Sequence, residues 1–388
     1  MTPVFVTRPS LPPLDEYVEL LRDIWDRRWL TNGGRCHVEL EDALARYLGV
    51  SSVSLFCNGT TALQVGLQAL GVTGEVITTP FSFPATAHVL LWDHCTPVFC
   101  DVDPLTGNLD PSRVASLITP RTTAILPVHV YGTPCDVEGL QSVADEHGLK
   151  LFYDAAHAFG VRIGGRSVLE FGDLAMVSLH ATKVFNTAEG GFLVAGDPAL
   201  KTRIDLLKNF GFVDETTITE AGINGKMNEL QAAMGLVQLR HVDEDLMRRR
   251  SIAELYEREL AGLPGVRTLR EPDGVTGNWG YFPIFVDETR YPVSRDRLYE
   301  KLKHEGFHCR RYFYPLISEL PMYAHLPSAA NLPVAELLSR QVICLPIYPG
   351  LEPEEVVRVC DVVRAPVEAA CRGGGFLGDH APAAAGDV

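Results

Sequence analysis

A single lysine, Lys183, stands in the stretch SLHATKVFNTAEGG at residues 178–191, shortly ahead of a Glu-Gly-Gly that opens an apolar run. A charged lysine that faces a protein interior loses hydration, so an amine there is expected to be neutral or covalently used. A lysine in a loop is otherwise a solvated surface charge. On this segment alone both interpretations of Lys183 stand, and three other positions bear on the choice.

The first is the run Asn58-Gly59-Thr60-Thr61, which follows the apolar segment VSLF at residues 53–56. Gly59 permits a tight turn, and the two threonines open a helix-like segment. The amides, the hydroxyls and the positive end of such a helix would hold a phosphate. The alternative is an ordinary asparagine N-cap without a ligand.

The other two positions are Phe83 and Asp154. Phe83 follows Phe81 and Ser82 after the segment EVITTP, where its ring could cover one face of a planar ligand or simply belong to the core. Asp154 ends the apolar segment LKLFY, where an unpaired charge would be costly. Its carboxylate therefore needs a cation, either an arginine or the protonated nitrogen of a heterocycle.

The four features form one set in chain order: a phosphate cradle, an aromatic cover, an acid for a ring nitrogen and a lysine. Pyridoxal 5′-phosphate (PLP) requires these parts of a protein, because it is held by its phosphate and attached to a lysine as a Schiff base. The carboxylate keeps the pyridine nitrogen protonated, so that the ring can accept electrons. The set predicts that Lys183 is the covalent anchor of a PLP enzyme.

The elements that must position these residues alternate between short β-branched runs and helix-length segments from residue 38 to about 195. This alternation predicts an α/β domain with a largely parallel sheet. Ligands of such sheets bind at the carboxyl ends of the strands, where all four features lie. The predicted strands are VSLF (53–56), EVITT (75–79), TPVFCDVD (96–103), TTAILPVHVYG (122–132), LKLFYDAAHAFG (149–160), LAMVSLH (174–180) and GGFLVAG (190–196).

Residues 227 to about 262 read as long helical segments with few breakers, a plausible spine between two domains. We predict an N-terminal segment with the large PLP-binding domain at 1–250 and a small C-terminal α+β domain at 251–372. The last segment, 373–388, is rich in Gly, Ala and Pro, a composition that predicts a disordered tail.

Composition excludes several classes of protein. Charged residues make up 21% of the chain, and no run reaches the roughly 18 to 20 apolar residues that cross a bilayer. Prolines interrupt the N-terminus where a signal peptide would be continuously apolar, which predicts a cytoplasmic protein. The net charge of −15 without a basic stripe argues against nucleic-acid binding. The nine cysteines never form C-x-x-C, which predicts reduced thiols and no metal site.

Over residues 4 to about 365 the sequence is similar to the DegT/StrS-type sugar aminotransferases. These belong to the fold-type I, aspartate aminotransferase-like PLP enzymes, which pair a large domain built on a mostly parallel seven-stranded sheet with a small C-terminal α+β domain. The motifs that carry the resemblance are LTNGG (30–34), NGTTAL (58–63), PFSFPAT (80–86), PVHVYGTPCD (127–136), YDAAHAFG (153–160), SLHATKVFNTAEGG (178–191), NGKMNELQAAMG (224–235) and RRYFYPL (310–316).

The resemblance implies a role for each matching residue. Lys183 would form the Schiff base, and Asp154 would pair with the pyridine nitrogen. Phe83 would stack on the ring, and His157 would lie beside it near its hydroxyl. The phosphate would be held by Gly59, Thr60, Thr61 and Ser178.

The resemblance also implies a homodimer with shared active sites. In this family an asparagine of the partner subunit reaches the phosphate, which corresponds to Asn224 here. The tyrosine that usually precedes this asparagine is Ile223, and the arginine that usually follows two positions later is Lys226.

The lysine segment bears on the reaction. Relatives that deoxygenate sugars carry histidine in place of Lys183. Relatives that aminate C3 tend to read S-F-Y-P-G-K-N-L-G, whereas those that aminate C4 tend to read S-F-H-x-x-K followed by E-G-G. His180 and the Glu-Gly-Gly favour C4, and the flanking segments look most like enzymes that make dTDP-4-amino-4,6-dideoxyglucose.

The resemblance therefore implies transfer of an amino group from L-glutamate to C4 of dTDP-4-keto-6-deoxyglucose. Pyridoxamine 5′-phosphate would be the form between the two half-reactions. His180, Arg310 and Tyr312, with Arg311 beside them, are candidate substrate contacts, although a surface arginine pair is the alternative. Two other functions remain open: 3-amination or dehydration by the same family, and a non-catalytic PLP-binding regulator.

Overall fold

The computed structural model describes residues 3–372 of the chain, and the segment 373–388 predicted to be disordered lies outside them. The strands are β1 (Val4–Phe5), β2 (Val53–Phe56), β3 (Glu75–Thr78), β4 (Thr96–Phe99), β5 (Thr122–Leu126), β6 (Lys150–Asp154), β7 (Arg162–Ile163), β8 (Arg166–Ser167), β9 (Leu174–Ser178), β10 (Gly191–Ala195), β11 (Val266–Thr268), β12 (Val275–Thr276), β13 (Phe282–Val286), β14 (Phe307–His308) and β15 (Val342–Leu345). The α-helices are α1 (Leu14–Arg27), α2 (Arg35–Leu48), α3 (Gly59–Leu70), α4 (Ala85–Trp92), α5 (Pro111–Val114), α6 (Val137–His147), α7 (Pro198–Leu207), α8 (Glu229–Glu259), α9 (Arg295–His304), α10 (Pro333–Gln341) and α11 (Pro353–Arg372).

The central element is a seven-stranded sheet in the order β2-β10-β9-β6-β5-β3-β4. Strand β10 runs antiparallel to both of its neighbours, and the other neighbouring pairs are parallel. The prediction of an α/β fold with a mostly parallel seven-stranded sheet is therefore confirmed, and all seven predicted strands belong to this sheet.

Helices cover both faces of this sheet, because successive side chains of a strand point to opposite faces. In β9, Ala175 and Val177 belong to a core shared with α2, whereas Leu174 and Met176 belong to a core shared with α3. Both faces are apolar, so the polar side chains that act on a ligand are confined to the strand ends.

A second core begins in the C-terminal half of α8 and includes Ile252, Tyr256 and Ile284. Its sheet has the order β11-β13-β15, and α9 and α11 pack with it. The N-terminal strand β1 pairs with β14, so Val4 belongs to this C-terminal core. Helix α8 runs without interruption through residue 250, and the domain division at that residue stays a prediction.

Helix α8 begins at a capping box, in which Asn228 accepts from the amide of Gln231 and the Gln231 side chain accepts from the amide of Asn228. No helix within residues 3–372 combines the length and the apolar character needed to cross a membrane. The nine cysteines are free thiols, and most of them are buried.

Candidate active site

A cavity of about 580 Å³ opens at the carboxyl ends of β2, β3, β6 and β9. It brings together ten of the residues predicted above: Gly59, Thr60, Thr61, Phe83, Asp154, His157, Ser178, His180, Lys183 and Tyr312. Residues more than a hundred positions apart in the chain thus line one cavity, at the edge of the sheet where a parallel topology predicts a ligand.

The segment after β2 is both an asparagine N-cap and a lining of this cavity. The Asn58 side chain accepts a hydrogen bond from the amide of Thr61 at 2.8 Å, which satisfies one free amide of α3. The amides of Gly59 and Thr60 have no acceptor within residues 3–372. The two interpretations of this segment are therefore compatible, because the cap leaves two amides free to bind an anion.

Close packing requires glycine at position 59. A Cβ there would lie 3.2 Å from the sulfur of Met176 and 3.3 Å from Cβ of Ser178. A Cβ on Gly191 of β10 would lie 2.7 Å from the Gly59 backbone. These contacts hold the start of α3 against the end of β9, and Thr60, Thr61 and Ser178 all line the cavity.

Asp154 is buried at the end of β6. Its Oδ2 accepts from the Thr86 hydroxyl at 2.8 Å, and its Oδ1 accepts from the amide of Ala156 at 3.1 Å. Burial raises the pKa of Asp154, while these two hydrogen bonds and the charge of Lys183 oppose the rise. The carboxylate has lone pairs left for a further donor, and a cation beside it would stabilise its charged form.

Lys183 lies in the loop between β9 and β10, with its Nζ 3.2 Å from the phenol oxygen of Tyr281. Burial lowers the pKa of Lys183 to about 8, although the charge of Asp154 acts in the opposite direction. Its amine is therefore neutral in a substantial fraction of molecules near physiological pH. Lys183 is half-buried and its side chain lines the cavity, which favours the interpretation as a reactive amine.

His157 is buried and lines the cavity from the loop after β6. Its ring stacks on Phe313, with centroids 5.9 Å apart and planes at 11°. Burial lowers the pKa of His157 well below its usual range, so the imidazole is neutral. Its Nδ1 has no hydrogen-bond partner in the described part of the chain, although the atom is buried. Such an atom marks a place where a ligand group can bind.

His180 belongs to a polar group at the cavity mouth. Its Nδ1 accepts from the amide of Thr182 at 3.2 Å and lies 2.9 Å from the Thr182 hydroxyl. A ring nitrogen that accepts from an amide carries no proton, so the proton of neutral His180 lies on Nε2. That nitrogen is 3.7 Å from Oε1 of Glu189, the glutamate of the Glu-Gly-Gly.

Three of the residues named in advance lie outside the cavity lining. Arg310 is exposed, and Arg311 binds Asp296 at 2.7 Å while it stacks on Tyr314. Asn224 is exposed and pairs with Asn209 through the backbone. Their roles in binding substrate or the partner's cofactor stay predictions.

Other lining residues were not assigned a role from the sequence, above all Thr86, Tyr281 and Phe313, whereas Glu189 belongs to the Glu-Gly-Gly that favoured C4. Thr86 could have been found, because it belongs to the motif PFSFPAT, four positions after Ser82; the two hydroxyls lie 3.0 Å apart. No sequence motif around Tyr281 indicates that it belongs to the site. It comes from the irregular segment ahead of β13, and only the folded chain brings it to Lys183.

The chain has the fold of the aspartate aminotransferase-like, fold-type I transferases. Its large sheet is mostly parallel, and a lysine and an aspartate lie at the ends of two neighbouring strands of that sheet. A family model described as the DegT/DnrJ/EryC1/StrS aminotransferase family matches residues 14–364. The chain belongs to this family of PLP-dependent aminotransferases.

Several relatives match the chain over nearly its whole length. It is 48% identical to a dTDP-4-amino-4,6-dideoxy-D-glucose transaminase of Escherichia coli over 357 residues, which cover 91% of this chain and 96% of the relative. It is 46% identical to a protein of the same description from Shigella dysenteriae, over 93% of this chain and 98% of the relative. Among solved structures, DesI in the presence of its TDP-sugar product superposes with a TM-score of 0.91 at 40% identity, over 96% of both chains.

Proposed function

We propose that the chain is a nucleotide-sugar 4-aminotransferase that uses PLP. It transfers an amino group from L-glutamate to C4 of dTDP-4-keto-6-deoxyglucose and gives a dTDP-4-amino-4,6-dideoxy sugar. The observation that carries the proposal is that Lys183 and the buried carboxylate of Asp154 line one cavity at the carboxyl ends of the strands. The substrate is supported by the descriptions of the two relatives at 48% and 46% identity.

The cavity fits PLP. Asp154 would bind the ring nitrogen, and the free amides of Gly59 and Thr60, with the Thr61 and Ser178 hydroxyls, would bind the phosphate. The unpartnered Nδ1 of His157 is available to a polar group of the ring. When bound, the cofactor carries the amino group between the two substrates and withdraws electrons through its protonated ring.

Lys183 has two functions in this proposal. Its neutral amine attaches the cofactor covalently, since only the deprotonated nitrogen is a nucleophile. The same nitrogen, when free, would remove a proton from the carbon that bears the amino group and deliver a proton to the carbon that receives one. A pKa near 8 suits both functions, because the nitrogen can then give and take protons near neutral pH.

The remaining residues of the cavity would bind and orient the cofactor and the substrate. Phe83 is 59% exposed, so its ring is free to cover one face of a planar ligand. His180, Glu189 and Tyr312 border the open side of the cavity, where the sugar of the substrate would enter. His180 offers a donor at Nε2 and Glu189 offers an acceptor, which suits sugar hydroxyls.

We also propose the homodimer. Asn224 lies on an exposed surface that carries large apolar side chains: Phe210, Phe212, Val213, Ile218 and Ile223 are each at least 40% exposed. An exposed apolar patch of this kind is typical of a protein interface. A second copy bound there would cover the patch and could bring Asn224 to its neighbour's phosphate site, and light scattering of the purified protein tests the stoichiometry.

The test incubates the protein with PLP, L-glutamate and dTDP-4-keto-6-deoxyglucose, and the product is identified by NMR. A product with nitrogen at C4 supports the proposal, whereas nitrogen at C3 or a product without nitrogen contradicts it. The variant Lys183→Ala should lose turnover and the visible absorbance of the attached cofactor. Lys150→Ala, which removes an exposed lysine, should retain both.

A further inference from the structure

Tyr281 contacts the nitrogen of Lys183 from another part of the molecule. Its phenol oxygen is 3.2 Å from Nζ, although the two residues are 98 positions apart in the chain. Lys183 belongs to the loop that follows β9 of the large sheet, whereas Tyr281 directly precedes β13 of the small sheet. The contact therefore joins the two sheets at the atom that is proposed to react.

Asn278 fixes the backbone that carries Tyr281. Its amide nitrogen donates to the carbonyls of His157 at 2.8 Å and Phe159 at 2.9 Å, and its oxygen accepts from the amide of Gly280 at 3.0 Å. Asn278 is buried, so these bonds are shielded from water. The segment ahead of β13 is thereby bound to the loop that follows Asp154.

Aromatic contacts fix the ring itself. The Tyr281 ring packs edge-on against His157, with centroids 4.9 Å apart and planes at 63°, and against Tyr312, with centroids 5.9 Å apart and planes at 81°. Tyr131 packs against a further part of the ring at 5.7 Å. A ring confined by three aromatic neighbours keeps its hydroxyl in one place.

Charged and titratable groups surround the contact, among them the thiol of Cys344 in β15. Asp154 at the end of β6 acts on both Lys183 and Tyr281, and the neutral His157 adjoins them. Behind Tyr281 lies the buried Arg249 of α8, whose Nη1 donates to the carbonyl of Ile347 at 3.1 Å. Its Nε has no partner in the described part of the chain. Burial raises the pKa of the Tyr281 phenol, and the positive charge of Arg249 opposes this rise.

We propose that Tyr281 is a further catalytic residue, whose phenol binds the amine of Lys183 whenever that amine is free of the cofactor. The phenol oxygen accepts from the protonated amine, and its O–H donates to the lone pair of the neutral amine. The contact thus persists in both protonation states and keeps the nitrogen within reach of the proton that it moves. This inference rests on the aminotransferase function proposed above.

The test uses Tyr281→Phe, which keeps the ring and removes the hydroxyl. In the apoprotein, competitive acetylation with acetic anhydride, read by mass spectrometry of the Lys183 peptide, gives the titration midpoint of this amine. The midpoint should fall by about one pH unit, because a hydrogen bond to a charged amine is stronger than one to a neutral amine. In the PLP-loaded enzyme, the single-turnover reaction with L-glutamate should slow about 10- to 100-fold, with KM changed less than about threefold.

Tyr256→Phe is the matched control, because Tyr256 is a buried phenol without a partner in the described residues and its ring stacks on Phe282. This control should leave the midpoint and the single-turnover rate unchanged. An unchanged midpoint and rate in Tyr281→Phe, with the visible absorbance of the attached cofactor retained, would overturn the role of Tyr281 alone. Absence of that absorbance in the unmodified protein would instead overturn the proposed function.

Discussion

The hydroxyl of Thr86 donates to Oδ2 of Asp154 at 2.8 Å, and both groups are buried. A hydrogen bond to a buried carboxylate stabilises its charged form and fixes its orientation. The Thr86 hydroxyl in turn lies 3.0 Å from the hydroxyl of Ser82, so two hydroxyls in series lead from the segment after β3 to the carboxylate. Several measurable consequences follow from this arrangement and from its surroundings.

Replacement of Thr86 by valine should weaken the binding of PLP about 10-fold, because the carboxylate loses a charge-stabilising donor and its pKa rises further. The visible absorbance during titration of the apoprotein with PLP gives the affinity. Thr78→Val is the control, since that hydroxyl donates to the carbonyl of Leu126. If Thr86→Val bound PLP as tightly as the unmodified protein, the carboxylate would not depend on this donor.

Replacement of Asp154 by asparagine should leave Lys183 able to attach the cofactor but reduce turnover by about two orders of magnitude or more, because no anion then holds the proton of the ring nitrogen. The pKa of Lys183 should also fall below about 8, since Asp154 raises it. Acetylation of the apoprotein across pH measures this second effect. A midpoint that stayed constant or rose would contradict the electrostatic coupling of the two residues.

The apoprotein should become more stable at neutral pH when Lys183 is replaced by methionine, which keeps most of the side-chain volume. Burial lowers the pKa of Lys183 from its usual 10.5 to about 8 in the folded state. Below pH 8 the Lys183 amine is protonated in both the folded and the unfolded state, so the folded state bears the full free-energy cost of burying the charge. This cost is at most about 3 kcal/mol, and nearer 1 kcal/mol after allowance for the water that reaches the cavity.

The advantage of Lys183→Met should shrink as pH rises from 8, because the folded unmodified protein then loses its proton before the unfolded chain does. Urea denaturation at pH 7 and at pH 9.5 measures the difference. Lys150→Met removes an amine with a 49% exposed side chain and should show no comparable pH dependence. An equal effect of Lys183→Met at both pH values would mean that its folded-state pKa is unshifted.

Glu229 predicts an effect on stability away from the cavity. Its buried carboxylate accepts from the amides of Cys36 at 3.0 Å and His37 at 2.8 Å, at the N-terminus of α2. Glu229→Gln should lower the free energy of unfolding by about 1–3 kcal/mol, because a charged acceptor at a helix N-terminus is lost and a donor is buried there. Urea denaturation measures the change, and Glu244→Gln, on the exposed face of α8, should cost less than about 0.5 kcal/mol.

The sequence predicted the parts of the site that follow strands. Gly59, Asp154 and Ser178 each lie at or directly after the carboxyl end of a strand of the large sheet, so their meeting follows from a parallel topology. Lys183 could be assigned only with these neighbours, since its own segment fits a surface loop equally well. The strand ends were less predictable, because the predicted segment 149–160 continues past Asp154, where β6 ends.

Residues from irregular segments could not be predicted in this way. Tyr281 reaches Lys183 because Asn278 binds the loop after Asp154, and no periodicity in the sequence encodes that long-range bond. Arg310 and Arg311 lie outside the cavity lining, and their roles stay predictions. The charges suggested an anion site, but Arg311 is engaged by Asp296 within its own region.

Helix α8 has 31 residues, so it is about 46 Å long. Its first residue, Glu229, caps α2 beside the large sheet, and Tyr256 near its other end is embedded in the C-terminal core. Sharp kinks in helices occur mainly at breaks such as proline, and α8 contains no proline. Substrate entry that tilted the C-terminal core would therefore turn α8 as a rigid lever and disturb the start of α2, so the pivot of any such closure must lie outside residues 229–259.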